Sequence, residues 1–164
     1  TFRTDTAMKL TDALSISVIR GNASEILSLA GKDSQTKGVD AVHGVDEAEA
    51  SAVALSRKLN ATLAITGAVD LVTDGKSVLR VFNGHEQMAN VTGTGCVASA
   101  LIGAFLAVDE NNLEATATSL AAYGLAGEEA AGESKGPGSF HPALLDTLFD
   151  LDTESLQKKI RIES

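Results

Sequence analysis

The stretch Val91-Thr92-Gly93-Thr94-Gly95-Cys96-Val97 runs straight into an apolar segment, Ala98 to Val108, and its reading decides the rest of the chain. Two glycines one residue apart, flanked by threonines, open a helix whose first turn carries the only cysteine. Glycine allows a backbone conformation and a close approach to a ligand that other residues resist. The first N–H groups of a helix have no partner within it, and the helix dipole adds partial positive charge there. Together these features predict an anion site, most naturally one for phosphate.

Working outward, the apolar segment after the motif is hydrophobic almost all round, so a buried helix is expected. Leu113 to about Glu133 reads as a second long helix, rich in small residues that permit close packing. Ser134 to Phe140 breaks it, and Pro142 suits the first turn of a helix running to Leu148. The tail, Asp152 to Ile162, reads as a mixed-charge helix.

Before the motif, Thr4–Leu14 reads as a short helix and Ser15–Ile19 as a strand. Arg20, Asn22 and Glu25 follow. Asn22 with Glu25 three residues on is a capping-box spacing. Equally, a strand end can deliver Arg20, Asn22 and Glu25 to a ligand, because ligands of parallel α/β sheets bind beyond the carboxyl ends of strands. Gly31–Gly44 is polar and glycine-containing, so an exposed loop and a candidate lid, with His43 a solvated histidine within it. Asp46–Leu59 is a helix, acidic in its first turn, basic in its last, with Asn60 as its stop. Ala61–Ile65 is a buried strand with Thr66 at its carboxyl end. Val69–Thr73 and Ser77–Phe82 form a hairpin around Asp74-Gly75. Asn83–Asn90 is loop, with His85 structural or exposed. Strands followed by helices, then a hairpin and a helical finish, indicate α/β with a mostly parallel sheet, thin for the chain's length.

Composition bounds what the chain does. Its 164 residues suffice for one domain with a sizeable core. A net charge of −9 argues against nucleic acid and against an anionic membrane surface. One cysteine makes no internal disulfide, so nothing calls for an oxidising compartment. No apolar run reaches the ~18 residues of a membrane-spanning helix. Thr1-Phe2-Arg3-Thr4 is unlike a signal peptide and has no initiator methionine, as in a processed or truncated chain.

Gly93-x-Gly95-x-x-Ala98 also fits the dinucleotide fingerprint, but no strand follows the helix within a crossover length, and Glu114 falls inside a helix instead of at a strand end. There is no phosphate loop of the G-x-x-x-x-G-K type. The three histidines lie away from the cysteine, which argues against zinc. Cys96 itself has two readings: a small buried hydrophobe, or a base or nucleophile favoured by a helix N-terminus.

Val91 to Cys96 resembles the C-terminal signature of ribokinase-superfamily small-molecule kinases. Most of these carry an aspartate where this chain has Cys96; a cysteine there is similar to the hydroxyethylthiazole kinase family. The resemblance extends in order over Val18–Glu25, Ala64–Asp70, Val72–Gly75, Asn83–His85, Thr92–Cys96, Ala122–Gly124 and Gly136–Pro142. It implies a ribokinase-like three-layer sandwich, incomplete in this chain, with residues 1–164 forming the C-terminal ATP-binding part of a single domain. The implied reaction is ATP-dependent phosphorylation of 4-methyl-5-(2-hydroxyethyl)thiazole in thiamine salvage, in the cytoplasm. Gly93, Thr94 and Gly95 would form an anion hole, and Cys96 would orient or deprotonate the substrate hydroxyl. Arg20 and Thr66 match positions that contact ATP; Asn22 and Glu25 match an element that arranges Mg²⁺ through water. Family members are homotrimers whose N-terminal portion, absent here, supplies much of the thiazole pocket. Alternatives are another ribokinase-like alcohol kinase, or a non-catalytic nucleotide-binding fragment.

Overall fold

The computed structural model describes residues 2–31 and 43–164; most of the expected loop and candidate lid, Gly31–Gly44, lies outside the described residues. The chain divides into two compact units, one comprising residues up to Gly67 with Leu71–Leu79, the other Ala68–Asp70 with Arg80–Ser164.

The first unit begins with α1 (Phe2–Ala13), which buries none of its residues. Strand β1 (Val18–Asn22) leads directly into α2 (Ala23–Leu29), and α3 (His43–Leu59) precedes β2 (Thr62–Thr66). β1 sits a few residues later than the alternating run Ser15–Ile19 suggests. Parallel pairing in the register Val18↔Thr62 to Asn22↔Thr66 takes β1 as far as the carboxyl end of β2. The apolar stripe of α3 and α2 covers these strands. Ile26, Ala52, Leu55, Leu63, Ile65 and Leu71 form the core cluster, with Ile19, Leu29, Leu59 and Val78 packed around it. Each fully buried side chain of this size contributes roughly 1.5–3 kcal/mol relative to exposure. Asn60 stops α3 with a positive φ of 49°, the left-handed end that asparagine tolerates.

β3 (Asp70–Thr73) pairs antiparallel with β2, Ala64 opposite Val72, and turns into β4 (Val78–Val81) at Asp74-Gly75 as expected. The turn is closed by side chains. Asp74 Oδ1 accepts from the N–H groups of Lys76 and Ser77, both at 2.8 Å. The Ser77 N–H leads the contacts that hold the Asp74 carboxyl below its usual range. Gly75 has φ +84°, and a Cβ there would press on Arg57, whose Nε donates to the Gly75 carbonyl.

The second unit is mainly helical: a 3₁₀ turn (Glu86–Asn90), α4 (Thr94–Leu106), α5 (Asn112–Glu133), α6 (Pro137–Asp150) and α7 (Thr153–Lys159). α5 is its spine. Fourteen of its residues are buried, among them Ala117, Ala121 and Ala126, and both α4 and α6 pack against it. Phe140 and Leu144 of α6 are almost wholly covered.

Four expectations change in detail. The sheet is mixed: β1–β2 is parallel, while β2–β3 and β4–β5 are antiparallel. α4 is not a buried helix; only Ala98 and Ile102 are buried, and Val108 just beyond it is exposed. An all-round apolar sequence is compatible with burial, but α5 covers one face only. α6 starts at Pro137 after Gly136, which leaves Pro142 inside the helix. The tail helix ends at Lys159, and Ile162–Glu163 forms β5, with Arg80 opposite Glu163 and Val81 opposite Ile162. Among the described residues no helix is long and apolar enough to cross a membrane.

Candidate functional site

The residues singled out by the sequence fall at two helix starts, one in each unit. In the first unit the parallel register places Asn22 opposite Thr66 and Arg20 opposite Ala64, at the carboxyl ends of β1 and β2. Alternation along a strand sends Arg20 and Asn22 to one side and Gly21 to the other. The Arg20 guanidinium donates through one terminal nitrogen to Thr66 Oγ1 at 3.3 Å. Its Nε is buried and has no hydrogen-bond partner among the described residues. A buried guanidinium N–H without an acceptor costs free energy until an anion or water meets it. An oxygen of an anion would satisfy that donor.

Asn22 caps α2, with both halves of the capping box present. Its Oδ1 accepts from the Glu25 N–H at 2.9 Å and from Ser24 Oγ at 2.8 Å. Glu25 Oε2 in return accepts from the Asn22 N–H at 2.8 Å. The capping reading of this pair therefore holds, and it leaves Glu25 Oε1 as an acceptor on an exposed side chain. Gly21 makes room for this arrangement. A Cβ there would lie 3.1 Å from Glu25 Cβ and 3.2 Å from Oε2. A hydrated Mg²⁺ suits such a site, since it keeps several waters and needs only one or two carboxylates. Among the described residues there is no group of three or more His, Cys, Asp or Glu placed to chelate a metal directly.

In the second unit Gly93 is the N-cap of α4, with φ +101° and no side-chain cap. The first intrahelical bond runs from the Val97 N–H to the Gly93 carbonyl at 3.0 Å. Thr94, Gly95 and Cys96 are thus the first three helical residues, whose N–H groups have no acceptor within the helix. Cys96 is exposed, which removes the buried-hydrophobe reading and leaves its thiol open to a reactant. The Thr94 hydroxyl is committed elsewhere: it bonds to the carbonyls of Met88 (3.1 Å) and Val91 (3.2 Å). What Thr94 offers an anion is its N–H, while its side chain ties the helix start to the preceding turn.

Two supports of this second start have no local sequence signal. Met88 supplies a carbonyl six residues before Thr94, and α5 receives residues 83–88 across more than 35 positions of sequence. His85 is exposed, and its Nδ1 accepts from the Gln87 N–H, the structural role expected of it.

The described elements form an α/β chain with a mixed sheet, with which a ribokinase-like fold is consistent. The model of the hydroxyethylthiazole kinase family matches residues 1–154. The chain is 52% identical over 162 residues to hydroxyethylthiazole kinase of Desulfotalea psychrophila and 47% over 161 residues to that of Moorella thermoacetica. These alignments cover 99% and 98% of this chain but 59% and 60% of the relatives. A solved structure of the hydroxyethylthiazole kinase protein from Pyrococcus horikoshii OT3 superposes with a TM-score of 0.87 at 38% identity, covering 99% of this chain and 59% of that one. The chain belongs to the hydroxyethylthiazole kinase family, and it spans about three fifths of the length of the curated relatives it matches.

Proposed function

We propose that this chain is the C-terminal, ATP-binding part of a single ribokinase-like domain in a hydroxyethylthiazole kinase. The reaction is transfer of the terminal phosphoryl group of ATP to the hydroxyethyl oxygen of 4-methyl-5-(2-hydroxyethyl)thiazole. Family membership supports the substrate class, and the cytoplasm, thiamine salvage and a homotrimer follow from the same family resemblance. The observation that carries the reading is the uncapped start of α4, with glycine at φ +101° and an exposed thiol in the first turn.

Phosphoryl transfer asks for positioning and charge stabilisation more than for covalent chemistry from the protein. The N–H groups of Thr94, Gly95 and Cys96 act as fixed donors toward the negative charge on the transferred group, and their dipoles need no reorganisation. The Cys96 sulfur orients the substrate hydroxyl and, in its thiolate form, accepts the hydroxyl proton as the oxygen attacks. Arg20 directs its orphan Nε–H at phosphate oxygens, with Thr66 fixing the far end of the guanidinium. Asn22 and Glu25 would hold Mg²⁺ through water, and the ion would supply charge neutralisation at the phosphates.

The intact natural protein should phosphorylate the thiazole alcohol in an ATP- and Mg²⁺-dependent assay. Activity on a different alcohol with none on the thiazole would overturn the substrate. Replacing Cys96 separates its roles. Cys96→Asp, restoring the carboxylate of most relatives in the superfamily, should retain or raise kcat, whereas Cys96→Ala should lower it about 100-fold, within the range of general-base contributions. If the two variants are equally slow, position 96 is not the base.

A further inference from the structure

The cradle at the start of α4 is held from behind by α5, a helix that carries none of the proposed ligand-binding residues. Asn83 to Met88 lies along α5 at three successive points. At Gly124 a Cβ would collide with the backbone carbonyl of Asn83, so only glycine lets the chain pass there. At Glu128, Oε1 accepts from the Gly84 N–H at 2.8 Å and from Arg161 at 2.7 Å. At Gly127 the space a side chain would fill is taken by Met88, whose Sδ lies 2.5 Å and Cγ 3.1 Å from an ideal Cβ. Met88 is the residue whose carbonyl receives the Thr94 hydroxyl. A continuous path therefore runs from the bare backbone of Gly127 through Met88 to the first residue of α4.

We propose that Gly127 is a positioning residue for the anion cradle. By leaving room for the Met88 side chain it seats Met88 against α5, and the Met88 carbonyl, through Thr94, steadies where the N–H groups of Thr94, Gly95 and Cys96 point. The inference rests on the reading of that helix start as the phosphate site. Seating matters there because a donor displaced by even a fraction of an ångström from the developing charge loses much of its effect. Gly127 touches neither substrate nor nucleotide in this account. It acts through Met88, and a smaller residue at 88 should relieve a larger one at 127.

The test uses the exposed thiol of Cys96 as a reporter in the intact natural protein. Alkylation of Cys96 by iodoacetamide is followed with and without MgATP, alongside kcat and KM. In the natural protein MgATP should slow alkylation. In Gly127→Ala the MgATP concentration giving half-protection should rise about tenfold, equivalent to ~1.4 kcal/mol, with secondary structure by circular dichroism unchanged. The double variant Gly127→Ala with Met88→Ala should recover most of that loss. A merely destabilising role would lower the melting temperature without moving half-protection; that result, or a shifted half-protection that shortening Met88 fails to recover, overturns the inference. Absence of MgATP protection in the natural protein overturns the site reading itself, and with it the inference. Protection that is present and unaltered in Gly127→Ala overturns the inference alone.

Discussion

The starts of α2 and α4 solve the same problem in opposite ways. α2 follows a strand and α4 a turn, and both leave the first N–H groups of a helix without intrahelical acceptors. At α2 side chains answer part of that need: Asn22 accepts from the Glu25 N–H, and Glu25 returns a carboxylate oxygen to the Asn22 N–H. At α4 the cap is Gly93, which has no side chain to offer, and Thr94 turns its hydroxyl back toward Met88 and Val91. The first start is closed and presents side chains outward; the second is open and presents backbone. A carboxylate on a rigid cap suits a hydrated cation, and bare N–H groups at a helix dipole suit an anion. How each helix begins therefore decides which kind of ion its start could receive.

The comparison breaks most decisively at Gly93. Gly93→Ala must either strain a φ near +101° or rebuild the turn, and strain of this kind costs of order 1–3 kcal/mol. Loss of donor alignment should lower kcat about 100-fold. Steady-state kinetics on the intact protein, with circular dichroism to show that α4 persists, provides the measurement. A rate close to that of the natural protein would mean that the open start is not the anion site.

At the closed start two substitutions sharpen the contrast by separating cap from charge. Glu25→Gln keeps a side chain that suits the capping box but removes the negative charge, so the Mg²⁺ concentration for half-maximal rate should rise roughly tenfold with little change in stability. Asn22→Ala removes the cap itself and should cost about 1 kcal/mol in urea unfolding. Equal effects of both substitutions on Mg²⁺ dependence and on stability would show that the pair acts only as a cap.

The smallest effect belongs to a site that should leave both starts untouched. The Tyr123 hydroxyl on α5 is buried without a partner among the described residues, and burial pushes the phenol up to about 12. The folded state thus holds this proton to higher pH than the unfolded chain. The corresponding stability is complete below pH ~10, the unfolded value, and is lost as pH rises through about 12. Tyr123→Phe should raise stability by about 1 kcal/mol by removing an unsatisfied group and flatten the alkaline decline, with kcat unchanged. Thermal unfolding between pH 7 and 11 reads both.

Much of this was legible in the sequence because it is local chemistry. The Asn22–Glu25 spacing announced its cap, Asp74-Gly75 its turn, and Gly93-Thr94-Gly95 its helix start, each written within a few residues. The exposure of α4 was not legible: its composition permits burial on every side, and coverage depends on neighbours that hydrophobicity does not name. The same holds for Ile162–Glu163, whose short strand exists because β4 pairs with it, against the helical pattern of the preceding residues. In the site, Arg20 and Thr66 were chosen from resemblance, but their hydrogen bond and the orphan Nε come from the parallel register of β1 on β2.

By itself, then, the sequence determined the α/β class and the two helix starts, because caps, glycine turns and strand patterns act over one or two turns of backbone, while its ordered motif blocks carried the resemblance to the family. Only the tertiary structure decided that the Cys96 thiol is exposed, that the Thr94 hydroxyl is spent on Met88 and Val91, and that Gly127 makes the room in which Met88 sits. The seating of Met88 on Gly127 joins residues 39 positions apart, and which of the many small residues on α5 must be glycine is fixed by what lies against it in space.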